Sequence, residues 1–301
     1  MSAAKAPKHV FLIDGSGFIF RAYYALPPMT RLDGTPVNAV FGFTKMLMKL
    51  IDDTVADHIA VIFDHARKTF RNDIYTDYKA NREAPPEDLI PQFALVREAT
   101  AALNVSAVEK EGFEADDLIA TVADHVLKRR AQVRVITSDK DLAQLVREDG
   151  RVVMHDLARE TTYDADGVRG KFGVDPAQIP DYLGLVGDVV DNLKGVPGVG
   201  AVSAAAILQN FENIETIPAD LEAWSDVKVR GAARLAERIA LHRERALRTK
   251  DLATVRRDVP GVAPSLRELQ HRGADRERVD ELFDRLGWHG IRDRIPYWAP
   301  G

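Results

Sequence analysis

Acidic residues stand where apolar runs end, and their positions suggest a shared chemical role. Asp14 closes the run HVFLID and Asp64 closes HIAVIFD, two patterns that predict buried strands. A third run, QVRVITSDKD, ends in Asp139 and Asp141. Residues two apart in an extended chain share one side, so this last pair is expected to point the same way.

Two further acidic groups are predicted on helical backbone. Glu114, Asp116 and Asp117 lie in GFEADDLIA, at the predicted start of a helix, where the helix dipole favours anions. Asp188 and Asp191 in GDVVDN are three apart and would share one face of a helical turn. Each group also has a simpler interpretation as a turn or helix cap. The joint presence of all five groups favours a common site.

Many carboxylates in one site would raise each other's pKa unless cations neutralise them. Hard divalent ions such as Mg²⁺ or Mn²⁺ prefer oxygen ligands. Two such ions about 3.5–4 Å apart can hydrolyse a phosphodiester. The sequence therefore predicts a two-ion site for phosphodiester hydrolysis. The eight histidines show no metal-ligand spacing, and we expect none to be a ligand.

Alternating strands and helices predict the fold class. Up to about residue 174 the chain alternates apolar runs with helical stretches, which predicts an α/β fold with a mostly parallel sheet and flanking helices. Ligands of such sheets gather at the carboxyl ends of the strands, where the aspartates stand. The remainder predicts helices at 175–188, 203–211 and 228–250. We expect domains at 8–174 and 175–290.

Composition narrows the class of protein. The net charge is −5, but with the nine acidic residues set aside, 41 basic residues face 37 acidic ones, which permits a nucleic-acid partner. Cysteine is absent, no apolar run reaches the ~18 residues of a membrane span, and no secretion signal is recognised. We expect a monomeric, cytoplasmic, nucleoid-associated protein without a membrane partner.

Five segments resemble one family over residues 8–290. They are DGSGFIFRAYYALPP (14–28), KTFRNDIYTDYKANR (68–82), GFEADDLIA (112–120), TSDKDLAQLV (137–146) and GLVGDVVDNLKGVPGVG (184–200). They are similar to the 5′ nuclease domain of bacterial DNA polymerase I and its flap-endonuclease relatives. No polymerase region follows, so a stand-alone nuclease and an isolated domain both remain open.

The resemblance implies a PIN-like core, an arch at about 67–90 and a C-terminal helical domain with a helix-hairpin-helix-type DNA-binding element at about 184–215. It implies a Mg²⁺-dependent 5′-3′ exonuclease and flap endonuclease acting on DNA with a 5′ flap, nick or 5′ end, and on RNA–DNA primers. The first metal cluster would comprise Asp14, Asp64, Glu114, Asp116 and Asp117. The second would comprise Asp139, Asp141, Asp188 and Asp191.

Basic and aromatic residues alternate in 67–82, a pattern typical of nucleic-acid contact. By resemblance, Lys79 and Arg82 would neutralise the scissile phosphate, with Arg21 as a further phosphate contact. Tyr78 would stack near the cut, and Arg71 would add to the basic surface. The alternatives are a solvated loop with buried aromatics and, for Arg21, a salt bridge at the edge of the core.

The hairpin GVPGVG would present Gly195, Gly198 and Gly200 to a phosphate, because glycine allows close approach of the backbone. Lys194 precedes it, and K⁺ bound by backbone carbonyls is a hypothesis there. The family's usual Lys-Thr after the hairpin is replaced by Val202 and Ser203. The stretch 228–250 would add a basic helical stripe through Arg230, Arg234 and Arg238, unless it is only a solvated helix face.

Two rival functions remain open at this point. A DNA-binding module without catalysis would keep the hairpin and basic stretch, but the intact acidic positions count against it. A PIN-type ribonuclease would act on RNA, and the long C-terminal half counts against it. A substrate panel distinguishes these functions.

Overall fold

Eight strands, eleven α-helices and five short 3₁₀ helices lie in the described part of the computed structural model, which covers residues 7–53 and 57–300. The strands are β1 (His9–Asp14), β2 (His58–Ile62), β3 (Ser106–Val108), β4 (Gln132–Ile136), β5 (Val152–Asp156), β6 (Thr161–Tyr163), β7 (Gly187–Asp188) and β8 (Leu193–Lys194). The helices are α1 (Gly15–Ala25), α2 (Asn38–Asp53), α3 (Phe70–Ile74), α4 (Ile90–Ala102), α5 (Ala115–Leu127), α6 (Ala165–Phe172), α7 (Ile179–Val186), α8 (Ala201–Leu208), α9 (Ala232–Ala253), α10 (Leu266–Leu269) and α11 (Arg276–Leu286).

The chain divides into two compact units that do not follow its order. Unit 1 comprises the described residues of Met1–Arg67, Ala84–Ser138 and Arg256–Gly301. Unit 2 comprises Lys68–Glu83 and Asp139–Val255. The predicted arch at about 67–90 is thus divided between the two units. The predicted domain boundaries stay a prediction.

Unit 1 is built on parallel strands in the order β3-β2-β1-β4. β1 pairs with β2 from Val10–His58 to Asp14–Ile62, and with β4 from His9–Gln132 to Ile13–Ile136. All five residues of β2 are buried, as expected for a strand covered on both faces. The helix α2 packs ten buried residues, including Phe43 and Leu47. This arrangement holds the ends of β1 and β2 at one edge.

Unit 2 is mainly helical around one apolar core. Ile179, Leu183, Ile207, Leu235 and Ile239 are buried in a single cluster drawn from helices α7, α8 and α9. An antiparallel pair, β5–β6, belongs to the same unit. The two-residue strands β7 and β8 also pair antiparallel, although the sequence predicts no strand beyond about residue 175. Two-residue strands carry no period that a sequence pattern can reveal.

The predicted fold class, a mostly parallel sheet with flanking helices and a C-terminal helical part, is confirmed. None of the helices among the described residues is both long enough and apolar enough to cross a membrane.

Candidate active site

Asp14 links the ends of two neighbouring strands of unit 1. It is the last residue of β1 and the N-cap of α1, and its Oδ1 accepts a hydrogen bond from the Gly17 N–H at 3.1 Å. Its Oδ2 accepts a bond from the Thr137 hydroxyl at 3.0 Å, just beyond β4. The carboxylate is therefore fixed at the carboxyl edge of the sheet, as predicted for the strand ends.

Asp64 is fixed at the same edge. The Ser16 hydroxyl donates to its Oδ2 at 2.6 Å, and the Ala115 N–H donates to its Oδ1 at 2.9 Å. Arg97 donates to the Asp64 carbonyl at 3.2 Å while its guanidinium lies 4.8 Å from the Phe63 ring centre. Ala115 is the first residue of α5, so the start of that helix reaches the strand-end aspartates.

The acidic start of α5 is also a helix cap. Glu114 is the N-cap, and the Glu114 N–H donates a hydrogen bond to the Asp117 Oδ2 at 3.1 Å. The other oxygen of Asp117, which is fully buried, accepts a bond from the Arg256 N–H at 2.8 Å. The simpler interpretation, capping, thus describes Glu114 and Asp117, and their ligand role stays a prediction. Asp116 is half-buried on the first turn.

The second acidic group lies entirely in unit 2, on backbone that differs from the predicted one. Asp139 is the N-cap of a 3₁₀ helix, and its Oδ1 accepts a hydrogen bond from the Asp141 N–H at 3.0 Å. Asp188 ends β7, and Asp191 lies in the tight turn that leads to β8. The predicted extended pair and the predicted helical turn are therefore both wrong. A 3₁₀ turn and a short hairpin bring the four residues near each other.

The four aspartates form a cluster that repels itself. Burial raises the pKa of Asp141 well above its usual range, and the charges of Asp139 and Asp188 raise it further. Burial raises the pKa of Asp139, and the charge of Asp191 raises it further. The hydrogen bond from the Asp141 N–H lowers it but does not cancel the rise. The Oδ1 of Asp141 is buried and has no hydrogen-bond partner among the described residues. An oxygen in this state is available to a cation.

Basic side chains already contact the cluster. The Lys140 Nζ lies 2.7 Å from the Asp188 Oδ2. Asp191 is contacted by the Lys79 Nζ at 3.6 Å and the Arg82 Nη2 at 2.6 Å. Lys79 has a left-handed φ of 54° and donates its N–H to the Asp191 carbonyl at 3.1 Å. Such strain in a non-glycine residue is concentrated at functional sites. Both predicted phosphate-facing cations thus lie at the acidic cluster.

The donor set fits a hard divalent cation. Carboxylate oxygens are the ligands that such ions prefer, and the unpartnered Asp141 oxygen lies in a cluster of four. In the present side-chain positions, no three His, Asp or Glu side chains within 7–53 and 57–300 converge to hold a metal. The fit therefore rests on donor chemistry and on the orphaned oxygen.

Tyr78 is not placed to stack on a base. Its side chain is only 4% exposed and belongs to the core of unit 2. Its hydroxyl donates to the Asp191 Oδ2 at 2.9 Å, and the Lys79 Nζ lies 5.0 Å from the ring centre. The predicted stacking role is therefore wrong, because the ring is enclosed. The hydroxyl instead orients Asp191.

Arg71 is likewise not available to DNA. It is 2% exposed and donates hydrogen bonds to the Leu252 carbonyl at 2.8 Å and the Thr254 carbonyl at 3.1 Å. These carbonyls lie at the C-terminal end of α9, where the helix dipole also favours a cation. The predicted nucleic-acid contact is wrong, because the guanidinium is buried in the fold.

Arg71→Met is expected to destabilise the protein by about 3 kcal/mol, since it leaves two carbonyls without a charged donor. Urea unfolding followed by circular dichroism measures the change. The exposed Arg230→Ala serves as the control and should change stability by less than about 0.5 kcal/mol. Equal stabilities of the two variants would contradict the structural role of Arg71.

The hairpin glycines have separate roles. A Cβ on Gly195 would lie 2.4 Å from the Gly187 N and the Leu185 O, so glycine is required for close backbone packing. Gly198 has a left-handed φ of 77°, which favours glycine. Gly200 is the N-cap of α8, with open space where a side chain would stand. Lys194 is exposed in β8, directly before the hairpin.

The basic stretch 228–250 is helical only from Ala232. Arg230 precedes the helix, so the predicted three-residue stripe is wrong at its first position, because Gly231 with a φ of 77° caps the start. Arg234 and Arg238 are exposed on α9, and the Arg238 Nη1 lies 3.4 Å from the Pro197 carbonyl of the hairpin. In unit 1, Arg21 is exposed on α1.

Three orienting residues were missed by the sequence reasoning. Ser16 and Thr137 bind Asp64 and Asp14 through hydroxyls, and Lys140 pairs with Asp188. All three stand one or two residues from a predicted acidic position, in DGSG and TSDKD. Proximity to the acidic positions is the signal that could have identified them.

Family models match both parts of the chain. Residues 9–173 match "5'-3' exonuclease, N-terminal resolvase-like domain", and residues 174–277 match "5'-3' exonuclease, C-terminal SAM fold". DNA polymerase I of Rhizobium leguminosarum is 46% identical over 264 residues, covering 85% of this chain and 25% of that protein. DNA polymerase I of Bacillus caldotenax is 38% identical over 293 residues, covering 96% and 32%. The chain therefore spans about a quarter to a third of the length of these relatives.

Solved structures share the fold at low identity. The T5 5′-exonuclease with bound zinc has a TM-score of 0.66 at 19% identity, covering 93% of this chain and 98% of that one. The catalytic core of Rad2 in complex with DNA substrate has a TM-score of 0.62 at 17% identity, covering 96% and 91%.

Proposed function

Because the chain belongs to the 5′-3′ exonuclease family, we propose that it is a divalent-metal-dependent nuclease that hydrolyses DNA both from 5′ ends and at 5′ flaps. The observation that carries the metal dependence is the four-aspartate cluster of unit 2, in which one Asp141 oxygen has no hydrogen-bond partner within 7–53 and 57–300. Substrates in this proposal are DNA with a flap, nick or 5′ end, and RNA–DNA primers.

Two ions, Mg²⁺ or Mn²⁺, are proposed. The ligands in unit 2 would be Asp139, Asp141, Asp188 and Asp191. Those in unit 1 would be Asp14, Asp64, Glu114, Asp116 and Asp117. The helix cap of α5 positions Glu114 and Asp117. When bound, such ions neutralise phosphoryl charge and make water more acidic.

The protein's own cations have a separate part in the reaction. Lys79 and Arg82 lie at Asp191 and carry the charge with which a scissile phosphate would pair. Tyr78 holds Asp191 in orientation through its hydroxyl. Arg21 is proposed as a further phosphate contact, and its exposure on α1 is compatible with that role.

The hairpin and the start of α9 are proposed to bind duplex DNA. Exposed cations at Lys194, Arg234 and Arg238 support phosphate contacts, and Gly200 opens the amides at the start of α8. We also propose that the hairpin carbonyls bind K⁺. The protein is proposed to act as a monomer.

A panel of labelled substrates tests the proposal. Flap, nicked, blunt, RNA–DNA and single-stranded RNA substrates are incubated with Mg²⁺, Mn²⁺ or EDTA, and products are sized. The expected result is metal-dependent cleavage near the flap junction and from 5′ ends. Binding of DNA without cleavage in any metal would favour a non-catalytic DNA-binding module. Preferential cleavage of single-stranded RNA would favour a ribonuclease.

Val202→Lys should strengthen duplex binding. Val202 is 84% exposed on the first turn of α8, where the family usually has lysine. One added phosphate contact should steepen the salt dependence of log Kd by about 0.9. Fluorescence anisotropy in EDTA from 50 to 200 mM salt measures this slope. Leu32→Lys, at a fully exposed apolar residue of unit 1, is the control, and equal slopes for the two variants would contradict the contact.

A further inference from the structure

A small basic pocket in unit 2 lies outside both acidic groups. Tyr75, Lys194, Arg245, Arg248 and Thr249 line it, together with apolar carbons of β8 and α9. The space between its walls is about 250 Å³ when the open solvent at its mouth is included. No carboxylate is among the lining residues, so three cationic side chains share the pocket without a balancing anion from the described chain.

Arg245 makes this pocket unusual. Its Nε and Nη2 are buried, and neither has a hydrogen-bond partner in the part of the chain that the structure describes. A buried charged donor without an acceptor destabilises a fold. The arrangement is explained if an acceptor from outside the chain completes it.

The walls of the pocket are fixed by contacts on the same elements. The Thr249 hydroxyl donates to the Lys194 carbonyl at 2.9 Å, which joins β8 to α9. The Arg248 guanidinium lies 5.8 Å from the Tyr75 ring centre. Arg245 and Arg248 are three residues apart on α9 and therefore neighbours on its surface. The backbone of β8 is thus joined to α9, and the Arg248 side chain lies against Tyr75.

The chemistry selects an oxyanion. The guanidinium fork binds phosphate oxygens through parallel N–H groups. The pocket is small, so it suits one phosphate group and not a whole nucleotide. Lys194 directly precedes the hairpin, and Tyr75 belongs to the segment predicted to handle DNA.

We propose that the Arg245 pocket binds one phosphodiester group of the DNA substrate. This inference rests on the proposed function, since it assumes a DNA ligand. Free phosphate has the same chemistry and is the other possible source of the anion. The pocket thus adds a fixed contact point that sets the register of the DNA on unit 2.

Arg245→Met keeps the aliphatic packing and removes the fork. The dissociation constant of a labelled flap duplex, measured by anisotropy in EDTA, should rise about tenfold, and the salt slope should fall by about 1. Arg267→Ala removes the same charge from an exposed site on α10 and should change both values little. Equal effects of the two variants would overturn the proposal that the Arg245 pocket binds a phosphate group, and would indicate general electrostatic attraction instead.

Single methylphosphonate linkages in the duplex identify the source of the phosphate. In the wild type, one neutral linkage should weaken binding as much as Arg245→Met does, and it should have no further effect in the variant. If no linkage behaves so, while inorganic phosphate raises the Tm of the wild type only, the pocket takes free phosphate and the DNA contact is overturned.

Two results keep this test separate from the proposed function. If no substrate is cut but the linkage effect persists, the pocket stands and the nuclease proposal fails. If DNA is cut normally but no linkage effect exists, only the pocket fails. Should Arg245→Met not fold, Arg248→Met replaces it in the same linkage scan, with the same two outcomes.

Discussion

Asp139→Asn is expected to lower the rate of flap cleavage by more than about a hundredfold. Loss of a residue that only hydrogen-bonds to a metal ligand usually lowers activity by about 10- to 100-fold. The substitution removes one negative charge from the cluster where a divalent ion is proposed. It retains the side-chain oxygen that accepts the Asp141 N–H as the cap of the 3₁₀ helix. The fold and the DNA affinity should therefore be preserved. Single-turnover cleavage with enzyme in excess measures the rate, and anisotropy in EDTA measures the affinity.

Asp164→Asn is the matched control for this experiment. Asp164 is the N-cap of α6 in the same unit, where its Oδ1 accepts the Gly167 N–H at 2.8 Å. Asp139 and Asp164 thus have the same capping role, but Asp164 is not one of the four clustered aspartates. Cleavage by Asp164→Asn should match the wild type. If both variants cut at equal rates, Asp139 is a cap and the metal assignment in unit 2 is wrong.

The long elements could be predicted because their apolar patterns are strong. The runs HVFLID and HIAVIFD became β1 and β2 within two residues at each end. The strands β3, β5 and β6 were missed. Strands β3 and β6 have only three residues each, too few to show a reliable period. The family and the nuclease class indicated by the five motifs are confirmed by the family models.

The site was predictable in position but not in local role. Parallel strands end at one edge, so Asp14 and Asp64 could be assigned to it from the sequence alone. The burial of Arg71 could not, because its acceptor carbonyls at Leu252 and Thr254 lie 181 and 183 residues away in the chain. The same limit applies to Tyr78, whose partner Asp191 is 113 residues distant. Residue type indicates exposure on average, whereas tertiary contacts decide it for each residue.

Asp141→Asn is expected to make the metal-free protein more stable at pH 8, even though it should abolish activity. Folding raises the pKa of Asp141, through burial and the nearby Asp139 and Asp188. A carboxyl group with a raised pKa contributes its stability below the unfolded value of about 3.9, and loses it as the pH rises through the folded value. The ionised group therefore opposes folding at pH 8. Asparagine carries no charge, and its amide can donate to a neighbouring carboxylate.

Thermal unfolding in EDTA, monitored by circular dichroism between pH 4 and pH 8, measures this effect. The Tm of Asp141→Asn should exceed that of the wild type by at least about 3 °C at pH 8, and the difference should shrink toward pH 4. Mn²⁺ should raise the Tm of the wild type and have much less effect on the variant, because a ligand stabilises only the state that binds it. A lower Tm for the variant at pH 8 would mean that the Asp141 carboxylate is part of the structural core and not a vacant ligand. Clustered like charges destabilise a fold and are retained when function requires them. If Asp141 is a metal ligand, the variant is more stable than the wild type without metal, and Mn²⁺ reduces or reverses this difference.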